Sequence, residues 1–463
     1  MKHVHLIGIG GSGLSAIALF LKEKGYRVTG SDRVLSPLAA QLVGVGITVY
    51  AGHDPANVRG ADVVIRSSAV PPENPEVQAA LAAGIPVLKR QEFLEQLSGD
   101  QKVLAIAGTH GKTTTTAMLA WVLTRLNHDP SYLIGGVSKN LKRNAHAGRG
   151  QWFVIEADEY DHMFLGLKPD LVILTTVEHD HPDYFPTPES YFKAFGQFIE
   201  RLQPGGVVIA NADNSMAARL ANEFRQRGGS CLSYALETKA DVQVVILGTN
   251  EMGGLDFEVT FVQPVQSIGS VRVGLQVPGT HNVMNATAVL AACNWLGLPM
   301  DEVAQALAEF SGTGRRFDVL GEASGVIVVD DYAHHPTEVS ATLSAAKMRY
   351  PQRRIWAVWQ PHTYSRTLAL MDGFTRAFQL ADEVVVTEVY AARERNEGFS
   401  AAQVVSQMVH PSVRFIPSLH EATVYLLEKL QKGDVLLVLS AGDADQISAQ
   451  VFSALKEKEL ADV

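Results

Sequence analysis

At 463 residues the chain is too long for one ordinary domain and suits two to four, each large enough to bury its own core. With 46% hydrophobic and 19% charged residues and no low-complexity tract, it excludes a disordered or fibrous protein. A formal charge of -10 excludes a general polyanion-binding surface, so nucleic acid is not an expected partner, while a local basic pocket for a small phosphorylated ligand is compatible with it.

The N-terminal "MKHVHLIGIGGSG" lacks the charged, apolar and cleavage regions of a signal peptide, and no stretch reaches the length of an apolar membrane span. Cys231 and Cys293 have no C-x-x-C neighbour and read as reduced interior thiols. The expectation is a cytoplasmic protein without membrane insertion.

In chain order, "HVHLIGIG", a helix from Ser12 to Lys24 with Leu14, Ile17, Ala18 and Leu21 on one face, "YRVTGSD", "ADVVIRSSA" and "IPVLKR" alternate strand and helix as in a small parallel α/β domain. A buried strand, "KVLAIAG", then feeds a glycine-bearing loop and a helix from about Lys112 to Leu126, followed by strands at "WFVIEAD", "LVILTTV" and "GVVIANAD". The alternation from "DVQVVILG" to "SVRVGLQVPG" suggests an antiparallel excursion before helices at "NVMNATAVLAACNWLG" and "MDEVAQALAEF". After "SGTGRRF", strands at "VIVVDDYAHHP", "RIWAVWQP", "EVVVTEV" and "DVLLVLSAGD" alternate with helices. Three α/β domains are expected, over 1–98, 99–312 and 313–463: Rossmann-like, P-loop ATPase-like and Rossmann-like.

Two loops carry phosphate chemistry. "GIGGSG", Gly8 to Gly13, follows a strand and opens a helix, with Asp32 at the end of the next strand, as in a dinucleotide fingerprint. NAD or FAD would fit, and so would any nucleotide diphosphate. "AIAGTHGKTTTTAML" is a P-loop shortened by one residue: the usual first glycine falls at Ile106, and the glycine stands instead at Gly108. It still supplies converging N–H groups, the cation of Lys112 and the hydroxyl of Thr113. Two acidic clusters at strand ends, Glu156, Asp158, Glu159 and Asp161, then Glu178, Asp180, His181 and Asp183, suit the Mg²⁺ that accompanies a triphosphate.

The ordered set "AGTHGKTTTT", "IEADEYD", "EHDHPD", "PGTHNVMNAT", "GRRFD", "DDYAHHPTE" and "QPHTYSRT" resembles the Mur ligases of cell-wall precursor synthesis across essentially the whole chain. In that family the ATP loop carries its first glycine where Gly108 stands, and the first glycine loop holds a UDP-sugar diphosphate. "RRFD", "DDYAHHPTE" and "YAARE" are most similar to the branch that adds L-alanine to UDP-N-acetylmuramate through an acyl phosphate.

The resemblance implies ATP at Gly108, Thr109, His110, Gly111, Lys112, Thr113 and Thr114, with His281 and Asn285 on the adenine side and Asp331 near the ribose. It implies Mg²⁺, as two ions, at Thr113, Glu156 and His181, and Arg316 reaching the γ-phosphate from the third domain. Lys112, His181, Arg316, His334 and Arg366 would carry the chemistry, Arg366 by binding a carboxylate or the muramate portion. Gly10, Gly11, Ser12, Asp32, His53, Ser68, Arg90, Tyr332 and Arg393 would meet the substrates, with Tyr390 a further contact, and His335 would precede a structural turn.

The chain departs from the family pattern at Thr176, where asparagine is usual, at Thr363, where some members have arginine, and in "LSAGDADQ", which includes Ser440. Phe195 stands where some members carry a modified lysine, with Lys193 two positions off; the alanine-adding branch also lacks that lysine. Competing readings are a relative that attaches a preformed peptide to the same sugar nucleotide, an NAD-dependent oxidoreductase, and a non-catalytic nucleotide-binding regulator. The oxidoreductase would leave the second loop and both acidic clusters without a role.

Overall fold

The computed structural model of the chain describes residues 2–262 and 269–461. Runs such as "VVIAN" and "VIVVDD" are buried along their whole length because helices cover both faces of their sheets, which is why they read as continuous apolar stretches. The first sheet is five-stranded and parallel, in the order Thr48–Ala51, Arg27–Asp32, His3–Ile7, Val63–Arg66, Val87–Lys89. Its winding reverses on either side of His3–Ile7, so Gly8 leaves the sheet at the switch point where such folds bind ligands.

The central sheet has ten strands. From one edge they are Ser270–Gly274, Leu255–Phe261, Val242–Thr249, Cys231–Ala235, Val207–Asn211, Leu171–Leu174, Lys102–Ala107, Trp152–Glu156, Ser131–Leu133 and Ala145–His146. The expected antiparallel excursion is the pairing of Val242–Thr249 with Leu255–Phe261 and of the latter with Ser270–Gly274; 263–268 lie outside the described residues. The third sheet is six-stranded and parallel except at its edge, where Asp318–Ala323 runs antiparallel to Val326–Asp331. Ser131–Leu133, Ala145–His146, Cys231–Ala235 and Asp318–Ala323 are too short or too interrupted by polar residues to stand out in the sequence.

Phe195 lies fully buried in an aromatic cluster, 5.3 Å from the Phe164 ring and 5.1 Å from the Tyr191 ring. Its burial is worth roughly 1.5–3 kcal/mol, and a lysine there would place an ammonium in apolar surroundings. Lys193, by contrast, is exposed. The position of the family's modified lysine is therefore a packing site in this chain.

Candidate active site

The strand Lys102–Ala107 ends at Gly108, and the helix Lys112–Arg125 begins after Gly111. Both glycines take positive φ, at 138° and 80°. A Cβ at Gly108 would overlap Thr175 Oγ1 and lie 2.8 Å from Thr176 O; one at Gly111 would lie 2.6 Å from Asn285 Oδ1. The shortened loop is thus pressed between the Thr175–Thr176 strand end and the helix Thr280–Trp295, and only glycine fits at both places. Thr109 N–H donates to Thr176 O (2.6 Å), and Thr109 Oγ1 donates to Glu178 O (2.8 Å). Thr176, where the family usually has asparagine, braces the loop with its side chain too: His110 N–H donates to Thr176 Oγ1 at 3.3 Å.

Lys112 Nζ donates to Glu159 Oε2 (2.9 Å) and to the carbonyls of Gly108 (2.5 Å) and Thr109 (3.1 Å). Burial works against its charge, but Glu159, Asp158 and Glu156 outweigh it and raise the ammonium's pKa. Thr113 Oγ1 donates to Glu156 Oε1 (3.1 Å), and Gly135 N–H donates to Glu156 Oε2 (2.8 Å). Burial pushes the Glu156 carboxyl up despite Lys112. His181, at φ 54°, turns its Nε2 to within 3.6 Å of Glu159 Oε1. Beside the lysine, Thr113 thus meets Glu156 and His181 meets Glu159, and the oxygens of the first pair suit a hard divalent cation.

The rest of the acidic clusters is used otherwise. Asp180 is buried and takes the Arg366 guanidinium through Nε (2.7 Å) and Nη2 (3.3 Å). Arg366 is only 4% exposed, so its fork is committed to this carboxylate rather than presented to a substrate, a difference from the expected carboxylate-binding role. Asp183 accepts from the Tyr160 hydroxyl (3.0 Å), and Asp161 lies 3.9 Å from Lys89. Asp158 pairs with Arg90 at 3.0 Å, and Arg90, Lys112 and His181 hold it below the usual carboxylate range against its burial.

The third domain closes the site. A cavity of about 290 Å³ is lined by His110, Gly111, Thr113 and Thr114 on one side, His281 and Asn285 on another, and Arg316, Asp331 and Glu338 opposite. It joins the phosphate loop, the start of the helix Thr280–Trp295 and the linker into the third domain. Asn285 Nδ2 donates to Asn282 Oδ1 (3.3 Å), and burial lowers His281 to about 4, leaving a neutral imidazole. Asp331 accepts from the backbone N–H groups of Phe317 and Ala333, both at 2.7 Å, and burial raises its carboxyl to about 6. It fixes the linker as well as lining the cavity. Arg316 stacks over Tyr332 (5.0 Å) and lies 3.8 Å from Glu338, while Arg315 pairs with Asp330 (3.1 Å). His334 Nδ1 meets Tyr332 O at 2.8 Å, and burial lowers the ring to about 4. His335 caps the helix Pro336–Arg349 by accepting from Thr337 N–H (3.3 Å).

In the first domain Gly10 N–H donates to Asp32 Oδ2 (2.8 Å) and Gly11 N–H to Gly8 O (3.3 Å). Ser12 opens the helix Ser12–Glu23; its side chain lies outside the described residues. Arg90 reaches over Gly13, where a Cβ would overlap its guanidinium, and so touches both the glycine loop and Asp158. His53 turns Nδ1 to Glu76 Oε2 (3.2 Å), and Ser68 is exposed. Across the cleft, Arg393 is exposed and lies over the Tyr160 ring at 4.8 Å, and Tyr390 stacks on His362 at 5.7 Å.

Sequence reasoning passed over Glu76, Asp158 as a partner of Arg90, and Glu338. Glu76 is a buried carboxylate bonded to Ser31, Asn57 (2.6 Å) and His53; burial opposes its charge, but His5, Ser31 and Asn57 outweigh it and bring it down to about 2. A glutamate two residues after a helix-opening proline, as in "HPTE", or two after Asn74, as in "NPE", reads as a cap, and nothing in the string separates it from a hub.

Family models match the chain in three blocks: Mur ligase family catalytic domain over 3–102, Mur ligase middle domain over 106–293, and Mur ligase glutamate ligase domain over 315–442. A UDP-N-acetylmuramate–L-alanine ligase of Desulfosudis oleivorans is 42% identical over 455 residues, covering 97% of this chain and 98% of its own. One from Alkaliphilus metalliredigens is 38% identical, covering 98% and 97%. Among solved structures, the UDP-N-acetylmuramate-alanine ligase MurC of Thermotoga maritima superposes with a TM-score of 0.83 at 28% identity, covering 99% and 100%. A murein peptide ligase of Psychrobacter arcticus gives 0.74 at 26% identity, covering 98% and 99%. Full-length likeness at this level, on top of a shortened phosphate loop closed by a third domain, makes this chain a member of the Mur ligase family.

Proposed function

We infer that the chain is an ATP-dependent ligase that joins L-alanine to the lactyl carboxylate of UDP-N-acetylmuramate, in the cytoplasm, in peptidoglycan precursor synthesis. The observation that carries this reading is the cavity lined by His110, Gly111, Thr113 and Thr114 of the phosphate loop and by Arg316 of the third domain, which supports a phosphate site shared by two domains. The lactyl carboxylate oxygen attacks the γ-phosphorus of ATP and the bond to ADP breaks. The alanine amine then attacks the acyl carbon, phosphate leaves, and the nitrogen loses its proton.

Loop N–H groups at the start of the helix Lys112–Arg125, Lys112 and Arg316 would stabilise charge on the transferred group. Mg²⁺ would be held by Thr113 and Glu156, with His181 serving a second ion, and would neutralise phosphate oxygens when bound. The hydroxyl and carboxylate of the first pair already face each other at 3.1 Å, so the donors fit. His334 spends its Nδ1–H on Tyr332 O, which leaves Nε2 as an acceptor. At a pKa of about 4 it suits orienting an amine N–H rather than keeping the proton. Gly10, Gly11, Asp32 and Arg90 would hold the UDP-sugar diphosphate at the first glycine loop.

The test is to incubate the protein with ATP, Mg²⁺ and UDP-N-acetylmuramate, offer L-alanine, L-serine, glycine or the wall tripeptide separately, and weigh the products. A species heavier by one alanine residue and absent without ATP is expected. Tripeptide addition without an alanine product would move the chain to the peptide-adding branch, and no conversion with any acceptor would overturn the ligase reading.

A further inference from the structure

Two acidic side chains from different domains grip the one histidine of the phosphate loop. His110 Nε2 bonds to Glu178, at the end of the central sheet, and His110 Nδ1 bonds to Glu338 Oε1 (3.0 Å), in the first turn of the third domain's helix Pro336–Arg349. The same Glu338 accepts from His334 N–H (3.0 Å) through Oε2 and lies 3.8 Å from Arg316. Glu178 in turn accepts from Thr337 Oγ1 (3.2 Å) and lies 3.6 Å from His335 Nδ1, and the His335 ring sits 4.6 Å from that of His110. Both ring nitrogens of His110 face carboxylates, so both carry protons and the ring is an imidazolium.

We propose that Glu338 is a positioning residue that couples the third domain to the phosphate loop: it holds His110 charged beside the loop and aims Arg316 at the same cavity. The proposal rests on the ATP-ligase reading for its kinetic consequence but not for its geometry. Glu338 lines the cavity yet carries the wrong charge to bind a phosphate, so its place there calls for another task. One carboxylate serves two cations that arrive from different segments, the loop and the interdomain linker, so their spacing is fixed only when the third domain is docked. Burial opposes the charge of His110, but Glu338 and Glu178 outweigh it and raise the imidazole to about 9. The groups facing the ring are Glu178, Glu338 and His335, with Arg316 beyond Glu338. The imidazolium is therefore intact at neutral pH and is lost as pH rises through about 9.

The experiment uses the full chain with Glu338→Gln, reading the His110 imidazole titration by NMR without ligands, the MgATP and UDP-N-acetylmuramate affinities by calorimetry, and steady-state kinetics. In the variant the His110 pKa is expected to fall by about two units toward the ordinary value, and KM for ATP to rise about tenfold. The affinity for UDP-N-acetylmuramate is expected to stay within about twofold. Glu338→Asp, which keeps the charge, should restore part of the His110 shift, and it serves as the probe if the glutamine variant does not fold. An unchanged His110 titration would overturn the proposal whatever the enzyme does. A shifted titration with equal losses in both affinities would also overturn it, because Glu338 would then be stabilising the fold and not positioning the loop. A shifted titration in a chain that converts no substrate at any setting, wild type included, would overturn the ligase reading and leave the coupling geometry standing.

Discussion

The chain carries two glycine loops at the carboxyl ends of parallel strands, and their surroundings differ more than their sequences do. In the first, Gly10 N–H is taken by Asp32, and the Arg90 guanidinium arrives from a later helix. In the second, Lys112 grows from the loop itself, Glu156 and Thr113 stand beside it, and Arg316 and Glu338 enter from another domain. Backbone N–H groups at a helix start attract any phosphate. What separates a site for holding a diphosphate from one for transferring a phosphoryl group is the set of cations and metal-suited oxygens around it, and whether a second domain must close over it.

The comparison breaks most sharply at Lys112. Lys112→Ala is expected to lower turnover by about 10³-fold while UDP-N-acetylmuramate binding, measured by calorimetry, is unchanged. A comparable loss of sugar-nucleotide affinity would mean that the two loops do not serve separate ligands. Arg316→Ala is expected to lower kcat by about 10²-fold, again sparing the UDP-sugar, because the guanidinium belongs to the second loop although it lies in the third domain. Equal losses in turnover and sugar-nucleotide binding would sink that assignment.

Paired glycine substitutions sharpen the contrast at smaller scale. Gly111→Ala meets Asn285 Oδ1 at 2.6 Å in a left-handed backbone and should weaken MgATP. Gly13→Ala displaces the flexible end of Arg90 and should weaken UDP-N-acetylmuramate, each by about tenfold or more. If either variant affected both ligands alike, the damage would be to the fold and not to a loop. The smallest effect concerns Glu76 beneath the first loop. Its folded pKa of about 2 lies below the ordinary glutamate value of 4.5, so its contribution to stability is present above pH 4.5 and is lost as pH falls through about 2. The stability gap between wild type and Glu76→Gln, read from urea midpoints, should narrow from pH 6 to pH 3, and a gap that widened would reverse the sign.

Much of this was legible in the string, for reasons that can be stated. Strands buried on both faces announce themselves as apolar runs, and the spacing of Gly108, Gly111, Lys112 and Thr113 marks a phosphate loop even with a residue missing. The pairing of Arg366 with Asp180 was not legible, nor that of Arg90 with Asp158. Partners 186 and 68 residues apart have no local pattern, and a lone carboxylate in an acidic cluster reads the same whether it meets a metal or an arginine. Glu338 and Glu76 were hidden for a related cause: each occupies a helix start, where an acidic residue already has a sufficient local explanation. Thr176 looked like a lost contact from sequence and turned out to brace the loop through both its carbonyl and its hydroxyl.

The linker between the second and third domains has a consequence for how such chains can be recombined. Thr313 bridges to Ser138 and to Arg316, and Arg315 and Phe317 both hold positive φ, at 58° and 45°. Arg316, which lines the cavity beside the phosphate loop, is thus encoded within the crossover itself, not in the body of either domain. A chimera joined before Gly312 inherits Arg316, with the strained turn that carries it, from the donor of the third domain; one joined after Phe317 inherits both from the donor of the second. Two hybrids with nearly the same domains on paper would differ in whether the turn matches the sheet it rests on, and exchange of acceptor specificity between relatives should succeed on one side of those six residues and fail on the other.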